Sequence, residues 1–95
     1  MITVYVTCGN SDDKLSQNEW ADFVGDVRGS LREFVQVTHG EWFSAGDSPW
    51  QNCCWCVELA PGRVEHLQNR LRTVARMYGL GSIAWAEAPN VEMLG

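Results

Sequence analysis

The spacing between apolar residues in this chain switches between two and three-to-four, and the order of those switches restricts the fold more than any single motif does. Ile2, Val4 and Val6 alternate with Thr3, Tyr5 and Thr7, the period of a strand with one buried side. Gly9-Asn10-Ser11-Asp12-Asp13 then supplies turn formers, and Ser16-Gln17-Asn18-Glu19 has the composition of a capping box. From there Trp20, Phe23, Val24, Val27, Leu31 and Phe34 recur at three and four, which predicts a helix with one apolar stripe. Val35, Val37 and His39 against Gln36, Thr38 and Gly40 predict a second strand running to Phe43. Beyond a hairpin loop from Ser44 to Pro49, a third strand is expected from Trp50 to Leu59. It carries Cys53, Trp55, Val57 and Leu59 on one side and Asn52, Cys54, Cys56 and Glu58 on the other. Pro61-Gly62 opens a second helix with its own stripe (Val64, Leu67, Leu71, Val74, Ala75, Tyr78), and Gly79 supplies a left-handed stop. Ser82 to Ala88 is a fourth strand, ended by Pro89.

The resulting order, strand-helix-strand-strand-helix-strand, predicts an α+β ferredoxin-like sandwich of one domain, 1–95, with 89–95 as a tail or edge extension. In that arrangement both helices cover one face of an antiparallel sheet ordered 4-1-3-2 and the other face stays open. An apolar content of 45% with 11% aromatic residues suits one small globule and excludes a disordered, collagenous or coiled-coil chain. The net charge of −5 removes the attraction on which general nucleic-acid binding depends. No apolar run approaches the ~20 residues that cross a bilayer, and MITVYVTCGN lacks the pattern of a signal peptide, so no membrane partner and a cytoplasmic location are expected.

This topology gathers distant polar segments on one rim: Gly9 to Lys14, the hairpin from Trp42 to Asn52, and the turn from Tyr78 to Ser82. Asn10, Ser11, Asp12, Asp13, Trp42, Asp47, Trp50, Gln51 and Asn52 are therefore candidate partner-binding residues, since aromatic rings beside amides and carboxylates combine contact area with orienting hydrogen bonds. Turn formation accounts for the small polar residues but poorly for two tryptophans flanking a hairpin. The open face is expected to carry Thr3, Tyr5, Thr7, Gln36, Thr38, Trp42, Cys54, Cys56, Ala84 and Ala86. Such a face is too apolar to stay wet comfortably, yet it lacks the basic and stacked aromatic residues of RNA-reading sheets, which predicts a homodimer that buries it. If Ala84 and Ala86 faced the helices, Ile83 and Trp85 would take their places.

Cys54 and Cys56 share a face, and Cys8 ends the neighbouring strand, so three sulfurs could converge. A Cys-Cys-x-Cys run on a strand is no zinc knuckle, however, and no histidine stands at the usual fourth-ligand spacing; buried free thiols, no metal and no cofactor are expected. His39 and Glu41, two apart on a strand, would share a face and could form an acid/base pair, although a structural histidine is the plainer reading. His66 falls on the solvent side of the second helix, and no phosphate-binding loop, nucleophile elbow or zinc-protease motif is present. Glu19, Asp22, Asp26 and Glu33 make an acidic flank on the first helix, with Gly25 and Gly29 on its outward side.

At Gly9-Asn10-Ser11-Asp12-Asp13, Ser48-Pro49-Trp50-Gln51-Asn52, Cys54-Trp55-Cys56 and Ile83-Ala84-Trp85-Ala86 the chain resembles small uncharacterised proteins of actinobacteria, their phages and mobile elements. The resemblance implies a compact accessory protein acting on a host or defence component, and it carries over no catalytic residue. Three functions then compete. The first is a non-enzymatic protein-interaction module, dimeric through the open sheet, with an unidentified protein partner. The second is a small-molecule-binding enzyme of the dimeric ferredoxin-like barrel type, using Asn10, His39 and Trp55 around a cavity near His39. The third, weaker, is an acidic mimic of nucleic acid.

Overall fold

A computed structural model describes residues 1–10, 14–45, 51–81, 83–89 and 94–95. Strand β1 (Ile2–Gly9) leads into helix α1 (Gln17–Phe34), then β2 (Val37–Phe43), β3 (Asn52–Leu59), a 3-10 turn (Pro61–Arg63), helix α2 (Val64–Met77) and β4 (Ala84–Ala88). All strand pairs are antiparallel, in the spatial order β2-β3-β1-β4. This is the expected 4-1-3-2 order viewed from the opposite edge.

Local chemistry sets the element ends. The Ser16 hydroxyl accepts from the Glu19 N–H at 3.2 Å while the Glu19 carboxylate accepts from the Ser16 N–H at 2.9 Å, so the capping box starts α1 as the sequence predicts. At the other end Val35 closes α1, its N–H donating to Leu31, which delays the second strand to Val37. The α2 terminus is a Schellman motif: Gly79 takes φ +68°, its N–H donates to Arg76, and Leu80 N–H donates to Ala75. Pro61-Gly62 begins a single 3-10 turn rather than α2 itself.

The core lies between the helices and one face of the sheet. Val4, Val6 and Cys8 of β1 and Cys53, Trp55, Val57 and Leu59 of β3 meet Phe23, Val27 and Leu31 of α1 and Leu67, Leu71 and Val74 of α2. Burying one large side chain of this kind stabilises the fold by ~1.5–3 kcal/mol, so the two helical stripes and the two inner strands carry it. In β4, Trp85 stands opposite Val6 on the helix side, and Ala84, Ala86 and Ala88 stand opposite Thr7, Tyr5 and Thr3 on the open side.

A bulge in β2 changes two expectations. Thr38 pairs with Val57 and Gly40 with Cys56, leaving His39 as the extra residue between them. The side alternation therefore slips by one at His39. Thr38 faces α1 instead of the open side, and Val37, opposite Glu58, takes its place there. His39 and Glu41 end on opposite faces: Glu41, opposite Trp55, pairs with Arg28 of α1, while His39 Nε2 lies 3.0 Å from Glu58 on the open face. The acid/base pair that simple alternation would allow between His39 and Glu41 is thus not formed.

Candidate functional site

Of the expected rim residues, Asn10, Gln51 and Asn52 lie together at the ends of β1 and β3, and each is engaged within the fold. Asn10 is buried, its Nδ2 donating to the Leu15 carbonyl at 2.9 Å and to Gln51 Oε1 at 3.0 Å, while its Oδ1 accepts from the Leu15 N–H at 2.9 Å. Gln51 in turn donates to Gln17 Oε1 at 3.0 Å. One asparagine thus ties the loop after β1 to the start of β3, two segments separated by about forty positions in sequence. A buried and fully engaged amide offers nothing to a partner, so Asn10 is a structural residue rather than a recognition residue. Asn52 pairs with Gly9, and its N–H donates to the Ser44 hydroxyl, closing the hairpin. Ser11, Asp12, Asp13, Asp47 and Trp50 lie outside the described residues.

Trp42 belongs to the other candidate surface, the open sheet face. It stands opposite Cys54, is 54% exposed, and its ring folds back over Gly40: a Cβ built on Gly40 would lie 2.7 Å from the indole. Only a glycine lets the ring lie against the backbone there. Gly40 is itself opposite Cys56, whose other neighbour is Tyr5. Cys56 is consequently buried although it points away from the core, and hydrogen bonding with its thiol is the main cause that pushes the Tyr5 phenol above its ordinary ionisation range. Along the lower edge Glu58 receives the Thr3 hydroxyl at 3.5 Å and pairs with His39. The face therefore has a ridge of Val37 and Trp42 on β2, Tyr5 on central β1, and a row of alanines on β4. Tyr5, Thr3, Thr7, Cys54 and Cys56 stand where the strand alternation puts them. The residues missed were Val37 and Ala88, the first because the bulge leaves no mark in the apolar spacing.

The cysteines separate by face. Cys8 and Cys53 are directly opposite each other in the core, and their mutual hydrogen bond, with burial, pushes the Cys8 thiol far above the usual range. Cys54 and Cys56 are on the open side, so the convergence of Cys8 with them does not occur. All four thiols are free. The acidic flank of α1 is largely engaged: Glu19 caps, Glu33 pairs with Arg70 at 2.7 Å, and Asp26 accepts from the Tyr78 hydroxyl. A continuous acidic strip of the kind nucleic-acid mimicry needs is therefore interrupted.

The three residues that a barrel-type enzyme would use, Asn10, His39 and Trp55, do not meet. Asn10 is in the rim, His39 on the open face, and Trp55 in the core, where its indole N–H has no partner among the described residues. A cleft of about 490 Å3 opens between α2 and β4, at the sheet edge away from His39. No protein-family model matches the chain, and no curated protein matches it either.

Proposed function

We propose that the chain is a ferredoxin-like, cytoplasmic, non-enzymatic protein-interaction module that pairs with a second copy of itself through the open sheet face. It would serve as an accessory protein of the kind its resemblance implies, acting on a host or defence component. The observation that carries this reading is the relief of the face: exposed Trp42 and Val37 rise along one edge strand, and exposed Ala84 and Ala86 lie low along the other. A two-fold axis lying between two such sheets, parallel to the strands, sets the β2 edge of each copy over the β4 edge of its partner. Ridge then meets shelf twice, as an isologous contact requires. Trp and Tyr are the side chains that most often anchor such contacts, and the pair His39–Glu58 forms a polar border. Four free thiols suit a reducing compartment.

The area argues for a reversible dimer. Strands ~4.8 Å apart and rising ~3.3 Å per residue give the face a projection of roughly 400–500 Å2. Side-chain relief brings that towards the ~600 Å2 per partner at the low end of specific interfaces. Light scattering on a size-exclusion column over a concentration series tests the proposal. The chain should shift from monomer to dimer with concentration, and Ala86→Arg and Trp42→Ser should each hold it monomeric with an unchanged circular dichroism spectrum. A monomer at every concentration, or a dimer indifferent to both substitutions, would overturn it.

A further inference from the structure

We propose that the cleft between α2 and β4 binds a small apolar carboxylate, an aromatic or medium-chain acid whose head group is held by Arg72 and Arg76. The cleft's volume, about 490 Å3, lies within the ~300–1,000 Å3 of small-molecule sites. Its wall is apolar: Leu71 and Ala75 from α2, Leu80 and Ile83 from the connection, and the half-buried indole of Trp85. The Schellman motif fixes that connection, because the Leu80 N–H bonded to Ala75 brings the chain back against the helix beside the cleft.

Charge selects the ligand. Gln68, Arg72 and Arg76 follow at intervals of four, so they form one row along the cleft side of α2. Among the described residues Arg28 pairs with Glu41 and Arg70 with Glu33, Arg32 and Arg63 form no ion pair but lie outside the cleft, and the two that line it, Arg72 and Arg76, donate only to neutral acceptors, the Asn69 side-chain oxygen at 2.9 Å and the Arg72 carbonyl at 3.3 Å. Glu87, on the same side of β4 as Trp85, is held by the Trp85 indole N–H at 3.2 Å. In a chain of net charge −5, two guanidinium groups without a carboxylate partner among the described residues therefore border an apolar recess. Proximity to the C-terminal end of α2 accounts for a cation at Arg76, but not for the recess between that row and Trp85. A planar carboxylate accepts from guanidinium in a bidentate way, and its apolar body fills the recess. The site is independent of the proposed dimer, since it opens on the helix side of β4 and the alanines of that strand face the other way.

Titration of the full chain with 2-naphthoate and with uncharged 2-naphthalenemethanol, followed by calorimetry and by the indole N–H resonance of Trp85, tests the proposal. Naphthoate should bind, shift that resonance, and lose about tenfold in affinity in Arg72→Gln/Arg76→Gln, a ~1.4 kcal/mol change. The alcohol should bind the native chain and the double variant equally, and Gln68→Trp should block both ligands. Both variants alter side chains outside the buried core, and an unchanged circular dichroism spectrum verifies that each folds. Equal affinity for acid and alcohol in the native chain, or shifts confined to the open face, would overturn it. So would binding seen only after removal of residues 90–95, which would assign the cleft to the chain's own end.

Discussion

The two faces of the sheet are built from the same strands, yet they behave oppositely. On β3, Cys53 and Trp55 are at most 1% exposed and lie under two helices, while Cys54 and Cys56 face outward one position away. The inner face is closed by helical stripes, the outer one only by Trp42 folded over Gly40 and by Tyr5. The contrast teaches that burial on this sheet has two origins. One is cooperative packing against helices, and the other is a local cover of single aromatic side chains that a partner could extend or replace.

Two tryptophans give the largest test of that contrast. Trp55→Ala should cost ~3–5 kcal/mol in urea unfolding, the usual range for a large aromatic removed from a core. Trp42→Ala, at a site 54% exposed, should change monomer stability by no more than ~0.5 kcal/mol. Trp55→Phe sharpens the point. It removes ring volume but also an indole N–H that has no partner among the described residues, whose desolvation costs ~1–3 kcal/mol, so its penalty should be far below that of alanine. If Trp42→Ala unfolds the monomer as readily as Trp55→Ala, the two faces are not distinct.

Thiol chemistry makes the same comparison by rate. In native protein diluted to monomer, Cys54, half-buried beside the Thr7 hydroxyl, should react first with a disulfide reagent. Cys8 and Cys53 should react at least about a hundredfold more slowly, because attack must await local opening. The raised Cys8 ionisation slows that thiol further, since the thiolate is the nucleophile. Cys56 falls between, and Gly40→Ala, which displaces the Trp42 ring, should bring it towards the rate of Cys54. Mass spectrometry of peptides after short exposure resolves the four sites, and equal rates at Cys54 and Cys53 would contradict the arrangement.

The inner face was far more legible in the sequence than the outer. Phe23, Val27, Leu31, Leu67, Leu71 and Val74 announce themselves by spacing because packing against a sheet demands a stripe. The rim was legible as a location, since topology alone brings Asn10 near Gln51, but its chemistry was not: nothing in the sequence distinguishes an asparagine that clamps from one that recognises. The bulge was silent for a related reason. On an edge strand whose residues are nearly all exposed, the apolar pattern barely records which way a side chain points, so Thr38 and Val37 exchange faces without a trace in composition. The cleft beside Trp85 was hidden because each of its helical residues has an ordinary reading on its own, and only tertiary placement opposes the arginine row to the strand.

Helix α1 carries the faces' difference outward to solvent. Gly25 and Gly29 are exposed, a Cβ at either meets nothing within 4 Å beyond the helix itself, and their backbones are helical. Gly25→Ala and Gly29→Ala should therefore each stabilise the protein by ~0.4–1 kcal/mol, chiefly by restricting the unfolded chain. Chemical unfolding midpoints measure this directly, and a loss of stability at either position would mean that the bare track is used in the fold. Gly79→Ala should act in the opposite sense by ~1–2 kcal/mol, because φ there is +68°.

The weakest expected effect lies at the junction of the two helices. The Tyr78 hydroxyl donates to Asp26 at 2.5 Å and its ring stands edge-on to Phe23, centroids 5.4 Å apart, so one side chain links the end of α2 to the middle of α1. The hydrogen bond to Asp26, then desolvation and the negative charge of Asp26 and Asp22, push the phenol up to about 12. In the unfolded chain the phenol ionises near its ordinary value of ~10. Between these values the unfolded chain releases a proton that the folded chain keeps, so the unfolded state binds fewer protons and stability falls as pH rises. The contribution is whole below pH ~10 and disappears as pH passes the folded value of about 12. Solvent access to Tyr78 keeps the effect small. Taking the difference in unfolding free energy between the native chain and Tyr78→Phe cancels every contribution the two chains share. That difference should be constant up to pH ~10 and shrink above it, because only the native chain loses a bound proton on unfolding there. A difference independent of pH would mean that the Tyr78–Asp26 bond does not couple the helices, and that the core face is held by apolar packing alone.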